Sequence, residues 1–128
     1  MRVLLDTHTF FWSVMDVGKL SANAKAVLED ERTEVFVSVA TAWEIAIKVG
    51  KAKWPEAADL IAQFETQLQT ANLKLLQITV PHVRHAGLMV ADHRDPFDRL
   101  LAAQAQIEDL TLVTTDPRLS RLGAQTLW

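Results

Sequence analysis

Short apolar runs alternate along this chain with stretches whose apolar residues recur every three to four positions. Residues 3–5 (Val3, Leu4, Leu5) are all apolar and stop at Asp6. A run that short, ended by a polar residue, predicts a buried parallel strand. Phe10, Phe11 and Val14 then recur at helical spacing up to a break near Gly18. Ser21 stands where an N-cap would open a second helix over 22–30, with Ala24, Val27 and Leu28 on one face. Residues 35–37 predict a second strand ending at Ser38. Helical spacing returns over 41–49, with Gly50 placed to close the helix. Pro55 opens a longer helix to about residue 71, carrying Leu60, Ile61, Phe64 and Leu68 as its buried stripe.

The second half continues the alternation. Residues 75–80 predict a third strand, and Pro81 starts a short helix to about residue 90. Asp95-Pro96-Phe97-Asp98 reads as a helix start, with Asp95 as cap and Pro96 in the first position. Leu100, Leu101, Ala105 and Ile107 carry that helix inward. Residues 110–113 predict a fourth strand, ended by Thr114-Thr115-Asp116-Pro117, and 125–127 a short last one. No repeat, low-complexity tract or linker interrupts the pattern, so one domain over 1–128 is expected. Strands alternating with helices imply a parallel sheet covered on both faces. In such sheets ligands bind beyond the carboxyl ends of the strands. Asp6 follows the first strand and Asp116 the fourth, which directs both towards one crevice.

Composition narrows the function classes. Hydrophobic residues make up 49% and charged residues 23% of the 128, which argues for a folded domain. There is no cysteine, so a disulfide framework and a thiolate metal site are excluded, and a reducing cytoplasm suits the chain. No stretch approaches the ~20 apolar residues of a membrane span. Asp6 interrupts the N-terminus where a signal peptide would extend its apolar core, so a soluble, non-exported protein is expected. The net charge of −3 argues against a nucleic-acid-coating protein, and less against an enzyme whose acids are covered by metal.

Four acids stand out, each beside a plainer explanation. Asp6 serves equally as the cap of the helix carrying Phe10, and Asp116-Pro117 as an ordinary turn. Glu44 lies in the otherwise apolar segment Ala42-Trp43-Glu44-Ile45-Ala46-Ile47, where an isolated charge is costly to bury. A surface pair with Lys48, four residues on, is its alternative and is worth only ~0.3–0.5 kcal/mol. Asp95 and Asp98 share one helix start, where capping accounts for one acid but not both. We assign the cap to Asp95 and the site to Asp98, with the reverse assignment open. Carboxylates within about 5 Å repel by roughly 3 kcal/mol per pair at an effective dielectric of ~20. Several such pairs rival a whole domain's stability of ~5–15 kcal/mol, so a converged cluster must protonate or take up a cation. All-oxygen donors select hard ions, Mg²⁺ or Mn²⁺.

The segments that carry these acids resemble a family. Leu4-Leu5-Asp6-Thr7-His8, Val39-Ala40-Thr41-Ala42-Trp43-Glu44-Ile45, the stretch from His93 through Asp95-Pro96-Phe97-Asp98-Arg99 to Ala105, and Leu112-Val113-Thr114-Thr115-Asp116 are similar to the four motif blocks of PIN domains. The similarity is strongest to the VapC toxins of toxin–antitoxin modules. It implies a three-layer α/β/α fold with a short, mainly parallel sheet of four to five strands. It also implies Mg²⁺- or Mn²⁺-dependent endoribonuclease activity on RNA, a homodimer, and inhibition by a VapB-type antitoxin. By matching position it makes Asp6, Glu44, Asp98 and Asp116 the catalytic and metal-site acids. Thr115 matches a supporting hydroxyl, and Asp95 is an additional acid beside the third block. Many relatives have Asn at the fourth position, where Asp116 keeps the charge. Asp6, Asp98 and Asp116 would then hold the metal, and Glu44 would orient or deprotonate the attacking water. Arg99 and Lys48 are candidate phosphate contacts, with solvated surface charge as the alternative.

Other residues carry less. The four histidines lack the spacing of a zinc-hydrolase helix. His8 and His93 lie near the acids and are candidates to support them from behind, with ordinary surface or half-buried histidines as the plainer alternative. Trp12, Trp43 and Trp54 read as core or interface anchors, with no sequence pattern for base stacking. No Gly-rich phosphate loop exists. An α/β phosphatase would need an acid two residues after Asp6, where His8 stands. The remaining rival is a catalytically inactive PIN-like or receiver-like module that binds metal or RNA without cutting.

Overall fold

The computed structural model describes residues 1–128. β1 (Arg2–Leu5), β2 (Glu34–Ser38), β3 (Lys74–Leu76), β4 (Thr111–Val113) and β5 (Thr126–Leu127) form one sheet in the order β3-β2-β1-β4-β5. Every neighbouring pair is parallel. β1 is the central strand and its three apolar residues are buried, which explains the uniform apolarity of its sequence.

Because side chains alternate along a strand, Val3 and Leu5 face one layer and Leu4 the other. Val3, Leu5, Val35, Val37 and Val113 pack against Phe10 of α1 (Thr7–Met15), Ala24 of α2 (Ala22–Glu29) and Ile45 of α3 (Val39–Gly50). The same layer takes in Leu60 of α4 (Ala58–Ala62) with Phe64 and Leu68 of α5 (Phe64–Thr70). Leu4 and Leu112 pack on the opposite side against Ala86 of α6 (Val80–Leu88) and Leu100, Leu101 and Ala105 of α7 (Pro96–Ile107). The fold is thus the three-layer α/β/α arrangement with a five-stranded parallel sheet.

Three local expectations are corrected. The helix expected from Pro55 to residue 71 is a 3₁₀ turn, Pro55–Ala57, followed by α4 and α5 with a break at Gln63. The buried stripe runs on through the break, so its spacing conceals it. The third strand ends at Leu76 instead of residue 80. Beyond it the Gln77 carbonyl accepts from the Gln104 amide at 3.2 Å, and Thr79 caps α6. Finally, α3 begins at Val39, capped by the Ser38 hydroxyl, and Gly50 lies inside it. The left-handed residue that ends the helix is Ala52, with φ 55°. Lys53 N–H bonds to the Lys48 carbonyl at 2.9 Å and Ala52 N–H to the Val49 carbonyl at 3.0 Å, the Schellman pattern.

Candidate active site

The register places Leu5 beside Val37 on one side and Val113 on the other, so β1, β2 and β4 end together. The residues just after them share one edge of the sheet. Asp6 continues the ladder, donating its N–H to the Val113 carbonyl at 3.1 Å. Its side chain is 9% exposed. Oδ1 accepts from Thr9 N–H at 2.8 Å and so caps α1, while Oδ2 accepts from the Thr114 hydroxyl at 2.5 Å. The cap reading of Asp6 thus agrees with its bonding, and its second oxygen faces the end of β4.

Glu44 lies on the buried side of α3, 7% exposed. Its Oε1 accepts from the hydroxyl of Thr7, the residue after Asp6, at 2.6 Å, and its Oε2 accepts from Lys48 Nζ at 2.8 Å. The Thr41 hydroxyl lies 3.4 Å from that of Thr7. The Lys48 pair is the plainer explanation considered from sequence. It coexists with a second bond that ties Glu44 to the end of β1.

Asp98 sits in the first turn of α7 and accepts from His93 Nε2 at 2.8 Å. Burial pushes its carboxyl above the ordinary range, His93 opposes that, and the charges of Asp95 and Glu44 add to the rise. Trp43 and Phe97, the residues next to Glu44 and Asp98, meet edge to face at 5.2 Å, which sets the start of α7 against α3. Asp95 caps α7 by accepting from Phe97 N–H at 2.9 Å and Asp98 N–H at 3.3 Å. The assignment of the cap to Asp95 thus agrees with its bonding.

Asp116 caps the 3₁₀ turn Pro117–Leu122 and is gripped by Arg118, whose Nη2 lies 2.7 Å from Oδ2. The guanidinium hydrogen bonds hold its carboxyl below the usual range, and His93 contributes in the same sense. Asp116 N–H donates to the Thr114 hydroxyl oxygen at 3.0 Å. Thr114 therefore joins Asp6 to Asp116 through a single buried hydroxyl.

Two supporting roles are corrected here. The hydroxyl in the site belongs to Thr114, not Thr115, whose side chain is exposed. Neighbouring residues at a strand end point to opposite sides, so a shift of one position exchanges inside for outside. Arg99 is not free to contact phosphate. Its guanidinium donates to the carbonyls of Ala86 at 3.0 Å, Ala91 at 3.2 Å, His93 at 3.1 Å and Met89. It clamps the segment that delivers His93 to Asp98.

The charge balance also differs from expectation. The protein supplies Lys48 to Glu44 and Arg118 to Asp116 as cations and the His93 ring to Asp98 as a hydrogen-bond partner, while Asp6 is met by a hydroxyl and an amide. No three carboxylate or imidazole groups stand close enough to share one ion in these side-chain positions. The donor chemistry, carboxylate oxygens throughout, is nevertheless that of a hard divalent cation. Sequence reasoning passed over Thr7, Thr114, Arg118 and the role of His93. The signal available for His93 was its position five residues before Asp98.

The PIN-domain family model matches residues 3–125. The chain belongs to the PIN-domain family. This PIN domain is similar to Ribonuclease VapC22 of Mycobacterium tuberculosis (strain ATCC 25618 / H37Rv), at 32% identity over 128 residues, covering 91% of this chain and 88% of the relative. Its backbone is similar to VapBC2 from Rickettsia felis, solved bound to a DNA fragment from their promoter, with TM-score 0.69, 16% identity and coverage of 99% and 98% of the two chains. It is also similar to FitAcB from Neisseria gonorrhoeae, with TM-score 0.64, 18% identity and coverage of 100% and 97%. At such identities the structural likeness speaks for the PIN fold alone.

Proposed function

We propose that this PIN domain is a divalent-metal-dependent endoribonuclease, the toxin of a VapBC-type module, with Asp6, Glu44, Asp98 and Asp116 as its working acids. One observation carries the reading: the Thr114 hydroxyl bonds both the Asp6 carboxylate after β1 and the backbone N–H of Asp116 after β4, while Thr7, next to Asp6, bonds Glu44, and the Trp43–Phe97 contact sets the start of α7, with Asp98, against α3. The ribonuclease relative that matches most of the chain supports it. Mg²⁺ or Mn²⁺ is the ion expected, held by Asp6, Asp98 and Asp116 with Glu44. Such an ion supplies positive charge against the phosphate and makes a nearby water more acidic.

The chain's own groups account for the rest. Thr9 N–H and Thr114 fix the Asp6 carboxylate before substrate arrives, which removes reorganisation from the reaction. His93 orients Asp98 in the same way. Glu44, positioned by Thr7, takes the proton of the attacking water at Oε2 as the water oxygen bonds to phosphorus. The P–O bond to the departing sugar oxygen breaks, and that oxygen takes a proton from solvent. Lys48 and Arg118 are the cations that the acids release when an ion replaces them.

A VapB-type antitoxin as inhibitor, a homodimer, a cytoplasmic location and a single domain over 1–128 belong to the same proposal. No helix is long and apolar enough to cross a membrane. The pairing of Glu44 and Asp116 with internal cations favours a second reading, a module that binds RNA without cutting it. Single-stranded RNA incubated with Mg²⁺, Mn²⁺ or chelator decides between them. The expected result is metal-dependent cleavage that Asp6→Asn abolishes in a folded protein. Binding without products favours the module, and full cleavage by Asp6→Asn defeats the site assignment.

A further inference from the structure

We infer that the cleft lined by His8, Lys48, Lys53 and Trp54 is a nucleotide subsite, holding the base and phosphate next to the bond that is cut. The inference rests on the nuclease reading and deepens it, since it names where the substrate lies. The cleft measures about 250 Å³. That is below the roughly 300 Å³ floor of sites for free small molecules, a size suited to one unit of a polymer passing through.

Its position comes from the active site's own elements. His8 is two residues after Asp6, and Lys48 holds Glu44 at 2.8 Å. The cleft is thus built on α1, which Asp6 caps, and α3, which carries Glu44. Its walls match a nucleotide in chemistry. The rings of His8 and Trp54 lie 5.1 Å apart and 28° from parallel, stacked on each other, with Phe11 4.8 Å from Trp54, so the exposed His8 is the ring left to meet a base. Lys48 Nζ sits 5.6 Å from the Trp54 ring centre. Lys53 is exposed and forms no ion pair. Aromatic faces for bases beside cations for phosphates are the two parts of a single-strand binding site.

The backbone makes this arrangement firm. The Schellman bonds that close α3 hold Lys48 and Lys53 together at one turn, and the 3₁₀ turn at Pro55 follows Trp54. Charge turns away a basic peptide, and the aromatic rings beside the two lysines favour RNA over an acidic peptide. The protein carries a net −3, so a local group of cations beside four acids is where a polyanion gains a foothold.

The test uses full-length protein carrying Asp6→Asn, so that a short fluorescein-labelled single-stranded RNA is bound and not cut. In that background Trp54→Leu is expected to weaken binding roughly 5-fold to 100-fold, the range for loss of one stacked base. Trp54→Phe should restore most of it. Lys53→Ala should lower the slope of log affinity against log salt by about 0.7, one phosphate contact. Crosslinking the same protein to 5-iodouridine RNA should give adducts at His8 or Trp54, a readout that holds even if Trp54→Leu fails to fold. Unchanged affinity and slope in folded variants, or adducts confined to other residues, overturn the inference. So does a Lys53→Ala protein that loses an acidic peptide while keeping RNA. Wild-type cleavage of the same RNA is scored separately. A chain that cuts RNA but fails these tests keeps the nuclease site and loses the subsite.

Discussion

Replacing Thr114 by valine changes one buried oxygen to a methyl group at almost constant volume. That oxygen donates to Asp6 at 2.5 Å and accepts from Asp116 N–H at 3.0 Å. A hydrogen bond to a charged group contributes about 1.5–3 kcal/mol, and a partly buried amide left unpaired adds ~1 kcal/mol. Thr114→Val should therefore destabilise the protein by about 2–4 kcal/mol. Thr114→Ser keeps the hydroxyl and should cost less than about 1.5 kcal/mol, mostly for the lost methyl group. Thr115→Val, at an exposed side chain, should stay within about 0.5 kcal/mol of wild type. Urea unfolding followed by circular dichroism, with chelator present so that no ion contributes, gives the three midpoints. A Thr114→Val protein as stable as wild type, or a larger loss at Thr115, would refute the role given to this hydroxyl.

Four further outcomes follow from the same contacts. Burial raises the Asp98 carboxyl in the folded state, so ionised Asp98 opposes folding at neutral pH and that penalty disappears as pH falls through the raised value towards 3.8. Asp98→Asn should accordingly melt higher than wild type at pH 7 while losing cleavage, and its advantage should shrink as pH falls towards 3.8. Ala52 holds φ 55°, and a left-handed conformation costs a non-glycine residue ~1–2 kcal/mol. Ala52→Gly should gain about 0.5–1 kcal/mol in unfolding titrations after the ~0.4–1 kcal/mol that glycine's freedom in the unfolded chain takes back. At Gly50, which is helical and whose added Cβ would meet nothing within 4 Å, alanine should instead stabilise by ~0.5–1 kcal/mol on thermal melting. Arg99→Met removes donors from four carbonyls, so about 3 kcal/mol or more should be lost and limited proteolysis should open residues 86–94 first.

The fold was legible wherever burial follows a simple period. Val3–Leu5 reads as a central strand because both faces of β1 are covered, and Leu60, Phe64 and Leu68 read as helix because they share one layer. The break at Gln63 was not legible, since the apolar stripe continues across it without glycine or proline. Strand β3 was read too long because Leu76 and Ile78 look alike in sequence, and only the Gln104 side chain and the Thr79 cap draw the chain away. At the site, the acids after β1 and β4 were visible from topology, and Asp95 and Asp98 divided their tasks by helix-capping rules. Thr114 was misplaced by one residue because a strand end has no sequence marker finer than that. The Lys48–Glu44 pair was visible from its four-residue spacing, whereas His93 and Arg118 as partners of Asp98 and Asp116 were harder to see. His93 and Arg118 reach their acids through irregular backbone, where spacing does not determine which side chains meet.

Asp6, Glu44, Asp98 and Asp116 are proposed to act together as one hard-cation site. Titrating Mn²⁺ into the protein, with the free ion followed by electron paramagnetic resonance, tests it most directly. The account predicts uptake by the wild type, weakened about 10-fold or more by each of Asp6→Asn, Glu44→Gln, Asp98→Asn and Asp116→Asn. Undiminished uptake by all four folded variants, or metal-independent RNA cleavage by a wild type that takes up none, would contradict it.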